Sequence, residues 1–481
     1  MAEEVERLES QALGKWMLAW AGVSFYTPGA GAAVAIGSVI YFTGVLTPVT
    51  MVLSGIMMLI VAYSMAQLTR KLPSAGSFYT FAINAIGFRV GWVVAGLSFT
   101  MWAFLSAGAT GLGYWFLWWL LAECGIHIPW WIIFVVGFAF VAFLAWIGVA
   151  ASFRFLFYSA LFQIACVLAL AAYVMVNGPF HGGALEGTSL LPLMGKLEGL
   201  KGVSGAAYGL LWGTVVFVGF EAVAAMGEEA KDPLKGVGFG LVVSIIIGTI
   251  FYVIYTTMTI YGFWNEMRGW TIEDPVIVTL SKKFWGFPGF VLLIGVVTLG
   301  TIGPASAGMM GVARILYSMG RAGILPRVFG RLHSRFRTPW AAILAVYVFG
   351  LITMIPGSLL WGGDNGPLQW CLSVGVIIAM AAALACYGIA CVCTTFYYRR
   401  KAPGEYSLWK HAVVPGLGVC SILFVLIGMF FPPHIPEIFD LIVVLIIALG
   451  FFISGGHLQR TRSKEELERT GAIVAGLVQG E

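Results

Sequence analysis

The chain has 481 residues, of which 60% are apolar and only 10% are charged, and its net charge is +5 at pH 7. Soluble domains average about 45–50% apolar and about 25% charged residues. With 27 basic and 22 acidic side chains, a soluble protein of this size could not be solvated. The composition therefore excludes soluble enzymes and nucleic-acid-binding proteins and indicates a polytopic membrane protein.

Apolar segments long enough to cross a bilayer recur along the whole chain. A membrane-spanning helix needs about 20 apolar residues, and these segments lack the short alternation of β-barrel strands. The sequence therefore predicts an all-α integral membrane protein with twelve transmembrane helices. The predicted spans are 14–43, 46–68, 86–121, 128–150, 152–176, 203–228, 236–262, 288–319, 338–356, 366–397, 410–431 and 435–455.

The basic residues predict the orientation of these spans. Cytoplasmic segments of a membrane protein carry an excess of Lys and Arg. With the N-terminus inside and twelve alternating spans, 22 of the 27 basic residues fall in inner segments and 5 in outer ones. We therefore expect a multi-pass protein of the cytoplasmic membrane, with both tails, 1–13 and 456–481, in the cytoplasm.

The first span contains a predicted helix break. Pro28 removes a backbone donor, and Gly29 and Gly31 allow the chain to unwind at little steric cost. The N–H groups of Gly29, Ala30 and Gly31 would then face a ligand at the N-terminus of the outer half-helix, which suits a carboxylate. A kinked but continuous helix is the alternative.

The sixth span contains the one acidic residue that lies far from either end of its span, Glu221. An ionisable residue at membrane depth is a functional candidate by default, and Gly219 beside it weakens the helix locally. The alternative is a neutral Glu221 that is hydrogen-bonded to a neighbouring helix and holds the bundle together. The residues leave these two roles open, whereas the helix break is better supported.

The two breaks occupy corresponding places in two halves of the chain. Spans 1–5 (about 14–176) and spans 6–10 (about 203–397) form the halves, and each break falls in the first span of its half. An odd number of spans per half makes the second half inverted relative to the first. This pattern is typical of secondary transporters with a site at the membrane midplane. Spans 11 and 12, about 410–455, complete a transporter domain at 14–455.

Three motifs follow one another in register: RKLPSAGSFYTFA at 70–82, GFEAVAAMGEEAKDP at 219–233, and RILYSMGRAGILPRVFGRLHSRFRTP at 314–339. They resemble motifs of the amino acid–polyamine–organocation (APC) superfamily of permeases. Ser77 stands where the family usually has a second glycine, and Ala32 follows Gly31 where the family often has isoleucine. The resemblance implies a 5+5 inverted repeat of the APC/LeuT-like fold, with broken helices 1 and 6 and two extra helices.

The resemblance also implies candidates for ion coupling. Proton-coupled members often carry a Lys on span 5 near the first break, and that position falls at Gln163, which cannot release a proton. Glu221 then remains as the proton candidate. In sodium-coupled relatives, carbonyls at the first break meet hydroxyls on span 8, which would correspond here to Val23, Ser24, Thr301 and Ser306. The coupling candidates are Glu221, Gln163 and Ser306.

The leading hypothesis is alternating-access transport of an amino acid with a neutral or hydrophobic side chain, either ion-coupled or by exchange. Its carboxylate would bind the N–H groups of the first break and its ammonium the carbonyls at the ends of the preceding half-helices. The predicted substrate-binding residues are Ser24, Phe25, Tyr26, Gly29, Ala30, Gly31, Val216, Phe217, Gly219 and Glu221.

The sequence is less consistent with other functions. A permease for a polyamine or another organic amine is the alternative within the same fold. An intramembrane enzyme is disfavoured because no His lies in the middle of a span and no pair of acids has catalytic spacing. A channel is disfavoured because no filter sequence is visible. We expect no cofactor and no nucleic-acid partner, only a small-molecule substrate, the lipid bilayer and a coupling proton or sodium ion.

Overall fold

The structure is a computed structural model that describes residues 13–74, 76–179, 202–227, 229–267, 275–361, 366–428 and 435–461. Its fold is helical. The α-helices are α1 (Lys15–Tyr26), α2 (Pro28–Thr43), α3 (Thr47–Thr69), α4 (Phe78–Ala85), α5 (Phe88–Glu123), α6 (Trp130–Ile147), α7 (Val149–Asn177), α8 (Gly202–Val215), α9 (Gly236–Met267), α10 (Val276–Arg321), α11 (Trp340–Trp361), α12 (Gly366–Trp370), α13 (Ile378–Arg400), α14 (Val414–Gly428) and α15 (Ile435–Thr461).

Two other helix types complete the bundle. A 3-10 segment, Phe220–Met226, follows α8, and a π-helical segment, Cys371–Ile377, joins α12 to α13. In α10 the backbone leaves the helical region at Gly286, with φ 65° and ψ −158°, so its first turns are separate from the long helix that follows. The π segment and the kink at Gly286 were not among the predicted features.

The count of spans depends on how two bends are treated. By length and apolarity, 10 helices among the described residues can cross a membrane, or 11 when α8 and the 3-10 segment are taken as one bent span. That count takes Pro28–Thr69, with 42 residues, as one span. A helix of that length would be about 63 Å long, twice the roughly 30 Å hydrocarbon core. A division at Gly44, where φ is 56°, yields the predicted twelve.

The predicted tails fall mostly outside the described residues, which begin at 13 and end at 461. Within them, α15 continues six residues beyond the predicted end of the last span at 455. The division of the chain into two repeats and two added helices remains a prediction. The apolar windows of α14 and α15 are 28% and 11% buried, and that of α11, which belongs to the predicted second repeat, is 33% buried.

The centre of the bundle is the close packing of α5 against α10, the most extensive helix pair in the described residues. Glycines make this approach possible. A Cβ added to Gly308 of α10 would collide with the Trp102 carbonyl oxygen of α5, and one added to Gly113 of α5 would collide with Thr301. Small residues at helix contacts of this kind are characteristic of membrane proteins, where van der Waals packing drives association.

Candidate functional site

The first helix break is confined to one residue. Helix α1 ends at Tyr26, and α2 begins at Pro28, with Thr27 between them at φ 44° and ψ 111°. Proline disfavours helical geometry in the residue before it and begins a helix well, because its missing N–H is not needed there. The predicted unwinding through Gly29–Gly31 is shorter than expected, since those glycines form the first turn of α2.

The second break is wider. Helix α8 ends at Val215, and the chain turns through Gly219, at φ 120°, into the 3-10 segment. The two helical pieces are bent by 44° relative to each other. Only glycine enters this backbone region without strain, which explains why the break falls at Gly219.

The two breaks touch each other. A Cβ added to Gly219 would lie 2.7 Å from the Phe25 carbonyl oxygen and 3.2 Å from the Tyr26 nitrogen, so no side chain fits there. The rings of Tyr26 and Phe217 pack edge to face with centroids 5.9 Å apart. The predicted residues Ser24, Phe25, Tyr26, Val216 and Phe217 are all buried around this contact. The structure thus brings both halves of the predicted site together.

Gln163 of α7 reaches the first break. Its Oε1 accepts a hydrogen bond from the Gly29 N–H at 3.0 Å, and its Nε2 donates to Ser159 Oγ at 2.9 Å. Only 1% of Gln163 is exposed. Proximity to the break agrees with the position expected from the resemblance, but the hydrogen bond itself was not anticipated. Its role in coupling remains a prediction.

Glu221 is completely buried at the start of the 3-10 segment. Its Oε2 accepts a hydrogen bond from the Gly219 N–H at 3.0 Å. The ring of Tyr387 in α13 packs at a tilt against that of Phe220, with centroids 6.1 Å apart, and its hydroxyl faces the carboxyl group. Within the described residues, Glu221 Oε1 and the Tyr387 hydroxyl make no hydrogen bond of standard geometry. Of the two carboxyl oxygens, Oε2 therefore carries the hydrogen bond that the structure shows.

Tyr252 of α9 is a site residue that the sequence analysis missed. Its hydroxyl lies 3.5 Å from the Thr27 carbonyl oxygen and 3.4 Å from the Val216 carbonyl oxygen, so it bridges the two breaks. These distances are long for a hydroxyl donor, and one proton serves one acceptor at a time. A charged residue at membrane depth marks a candidate site because it is costly to bury, whereas a neutral phenol in an apolar span carries no such signal.

The residues considered for sodium lie along the contact of α1 with α10. A Cβ on Gly303 would collide with the Ser24 carbonyl oxygen, which places that carbonyl directly against α10. The Val23 carbonyl accepts the Thr27 N–H at 3.2 Å, and Thr301 Oγ1 donates to the Thr298 carbonyl at 2.9 Å. Ser306 Oγ is buried without a hydrogen bond in the described residues. The sodium site therefore remains a prediction that rests mainly on Ser24 and Ser306.

Most of the chain matches a known protein family. Residues 26–468 match the amino acid permease family. The chain belongs to that family. The match covers both breaks, all three motifs and the helices from α2 to α15. The protein is accordingly a multi-pass membrane transporter.

Two curated relatives and one solved structure illustrate the range of this permease's relatives. The branched-chain amino acid permease BcaP of Bacillus subtilis is 24% identical over 446 residues, which cover 88% of this chain and 89% of the relative. The low-affinity putrescine importer PlaP of Escherichia coli K12 is 28% identical over 316 residues, 62% of this chain and 65% of the importer. A crystal structure of the Eremococcus coleocola manganese transporter, in complex with an aromatic bis-isothiourea substituted compound, superposes with a TM-score of 0.57 at 16% identity over 99% of both chains. That likeness shows a common fold of the APC/LeuT type.

Proposed function

We propose that this permease moves an amino acid with a neutral or hydrophobic side chain across the cytoplasmic membrane by alternating access, either ion-coupled or by exchange. The observation that carries the proposal is the contact of Gly219 with Phe25 and Tyr26, which joins the ends of two half-helices. Half-helix ends that meet in this way can present backbone carbonyls to an ammonium and the positive end of a helix dipole to a carboxylate.

The surroundings of this contact support a neutral substrate side chain. Phe25, Val216 and Phe217 are apolar and buried, and they offer no charge for a cationic or anionic side chain. The relative from Bacillus subtilis is named for branched-chain amino acids and aligns along most of the chain. Because this protein acts as a permease and not as an enzyme or a channel, its site needs selective binding and no catalytic group.

A polyamine is the second candidate substrate. It is favoured by Glu221, whose Oε1 accepts no hydrogen bond among the described residues, and by the relative named as a putrescine importer. A dication needs an acceptor for each ammonium group, and Glu221 is the one buried acid beside the described breaks. We therefore place the amino acid first.

Binding to the purified permease tests the choice. The protein in detergent is screened by thermal unfolding against the common amino acids, putrescine and 4-aminobutyrate. A ligand present at about 100 times its dissociation constant stabilises by about 2.7 kcal/mol, so L-leucine or a related amino acid should raise the unfolding midpoint. Stabilisation by putrescine alone would favour the polyamine instead.

Transport in proteoliposomes completes this test. Uptake of labelled L-leucine should saturate and should accelerate when unlabelled leucine is preloaded, as in a carrier. Gly219→Ala should abolish uptake because the added Cβ meets the Phe25 carbonyl oxygen, whereas Gly450→Ala, at a glycine with open space around it, should not. Flux that fails to saturate would contradict alternating access.

A further inference from the structure

The first turn of α2 is capped by a side chain from another helix. The Gly29 N–H donates to Gln163 Oε1 at 3.0 Å, and the Gly31 N–H donates to the Thr27 carbonyl at 3.2 Å. The N–H between them, at Ala30, lies against Gly300 of α10, where an added Cβ would come within 2.9 Å of the nitrogen. The Gln163 amide oxygen therefore already accepts a hydrogen bond from an N–H group that the predicted carboxylate site requires.

Gln163 fills a space that is shaped for a small planar group. A Cβ added to Gly29 or to Gly300 would lie 2.9 Å or 3.0 Å from Oε1, so both glycines are needed to admit the amide. A carboxylate has the same planar shape as a carboxamide. It accepts the same N–H hydrogen bond and, being charged, forms a stronger one. The space occupied by the amide thus suits a carboxylate equally well.

Thr27 gives an independent indication that the turn accommodates a ligand. It is the residue preceding α2, and a threonine at that position normally caps the helix with its hydroxyl. Here φ is 44°, no side-chain cap forms, and Thr27 Oγ1 is buried without a hydrogen bond in the described residues. A buried hydroxyl without a partner costs about 1–3 kcal/mol, and a carboxylate at the turn would accept a hydrogen bond from it.

We propose that Gln163 is a specificity-determining residue whose amide oxygen competes with the substrate carboxylate for the Gly29 N–H. The inference rests on the proposed function, because it requires a substrate with a carboxylate. Without substrate, the Gln163 amide oxygen accepts the hydrogen bond of the Gly29 N–H. A substrate carboxylate displaces the amide oxygen from this N–H and also accepts a hydrogen bond from the Thr27 hydroxyl. The competition weakens the binding of every carboxylate-bearing ligand and leaves amines without a carboxylate unaffected.

Substitution of Gln163 separates competition from structural support. Gln163→Leu keeps the approximate volume and removes the acceptor, so the dissociation constant of L-leucine should fall about tenfold, as expected for one released hydrogen bond. The dissociation constant of 3-methylbutylamine, the amine that lacks only the carboxylate, should stay the same. Gln67→Leu in α3 is the matched control, because Gln67 is similarly buried at 7% exposure and should change neither constant.

A second measurement does not depend on leucine being the substrate. Gln163→Ala leaves the space beside Gly29 open, and acetate should then raise the thermal unfolding midpoint of this variant but not of the wild type or of Gln67→Ala. If acetate has no effect on Gln163→Ala, or if Gln163→Leu weakens leucine and amine binding alike, Gln163 is a structural cap and the inference is wrong. If the wild type binds no amino acid while acetate still stabilises Gln163→Ala, the proposed substrate is wrong and the carboxylate site stands.

Discussion

Glu221 combines complete burial with an incomplete set of hydrogen bonds. One carboxyl oxygen accepts the Gly219 N–H, and the other faces the Tyr387 hydroxyl without a hydrogen bond of standard geometry. Such groups are costly to bury and are retained where they serve a function or where they hold helices together. The position beside the break that contacts α1 is the reason to favour a role in coupling.

Replacement of Glu221 by glutamine distinguishes coupling from support. Glutamine keeps the size and the acceptor oxygen but cannot exchange a proton, so Glu221→Gln should make leucine uptake independent of pH over about pH 5 to 8. The thermal unfolding midpoint should change little. Asp440→Asn, at an acid of α15 that is 1% exposed, is the control and should retain the wild-type pH profile. An unchanged profile in Glu221→Gln would exclude a coupling role.

Ser77 is strained in the loop between α3 and α4. Its φ of 44° and ψ of −121° fall in a region that favours glycine, and its buried hydroxyl has no hydrogen bond in the described residues. This explains why the related family usually has glycine here. Ser77→Gly should stabilise the protein by about 1 kcal/mol, measured as a higher thermal unfolding midpoint. Ser64→Gly, within α3, should instead destabilise by about 1 kcal/mol, and a loss of stability in Ser77→Gly would refute the strain.

At the scale of helices, the features that are encoded locally were predicted well. The breaks at Thr27–Pro28 and at Gly219 follow from what proline and glycine do to their own backbone, so sequence alone indicates them. The roles of Tyr252 and Gln163 depend on α9 and α7 packing against α2, and no local pattern reveals which backbone atom a neutral side chain will meet. Long-range packing is the part that the sequence analysis could not supply.

Three separate segments are joined at one end of the bundle by a buried ion pair. Arg314 of α10 forms two hydrogen bonds with Glu229, each 2.9 Å long, and both side chains are almost fully buried. The backbone of Glu229 in turn accepts the Leu13 N–H at 3.1 Å, just before α1. The ion pair therefore ties α10 to the chain after the second break, and the backbone hydrogen bond ties that chain to the start of α1.

A double-mutant cycle measures the contribution of this pair. Arg314→Leu alone leaves a buried carboxylate without its partner and should destabilise by about 3–5 kcal/mol. Adding Glu229→Gln should recover part of that loss, with a coupling free energy of about 2 kcal/mol. The matched control is the pair Lys71–Glu405, whose side chains are 30% and 60% exposed. Its coupling should stay below about 1 kcal/mol, and equal coupling in the two pairs would mean that the buried pair does not hold the segments.

For the whole molecule, the number of spans and the side of the tails are linked. An even number of crossings places both tails on one side of the membrane, and an odd number places them on opposite sides. The count of twelve requires that Pro28–Thr69 cross twice and that each broken helix cross once. The distribution of basic residues, 22 in predicted inner segments and 5 in predicted outer ones, then predicts that both tails lie in the cytoplasm.

Cysteine labelling in intact cells tests this topology. In a variant without the seven native cysteines, single cysteines are placed near each terminus, at Arg335 and at Thr188 in the predicted outer loop 177–202. A membrane-impermeant maleimide should label Thr188→Cys in intact cells, and it should label the other three only after permeabilisation. Arg335 is an exposed residue of the described structure, so poor accessibility would not explain a negative result there. Labelling of one terminal cysteine but not the other in intact cells would mean an odd number of spans. In that case Pro28–Thr69 would cross the membrane once, and its division into two spans at Gly44 would be wrong.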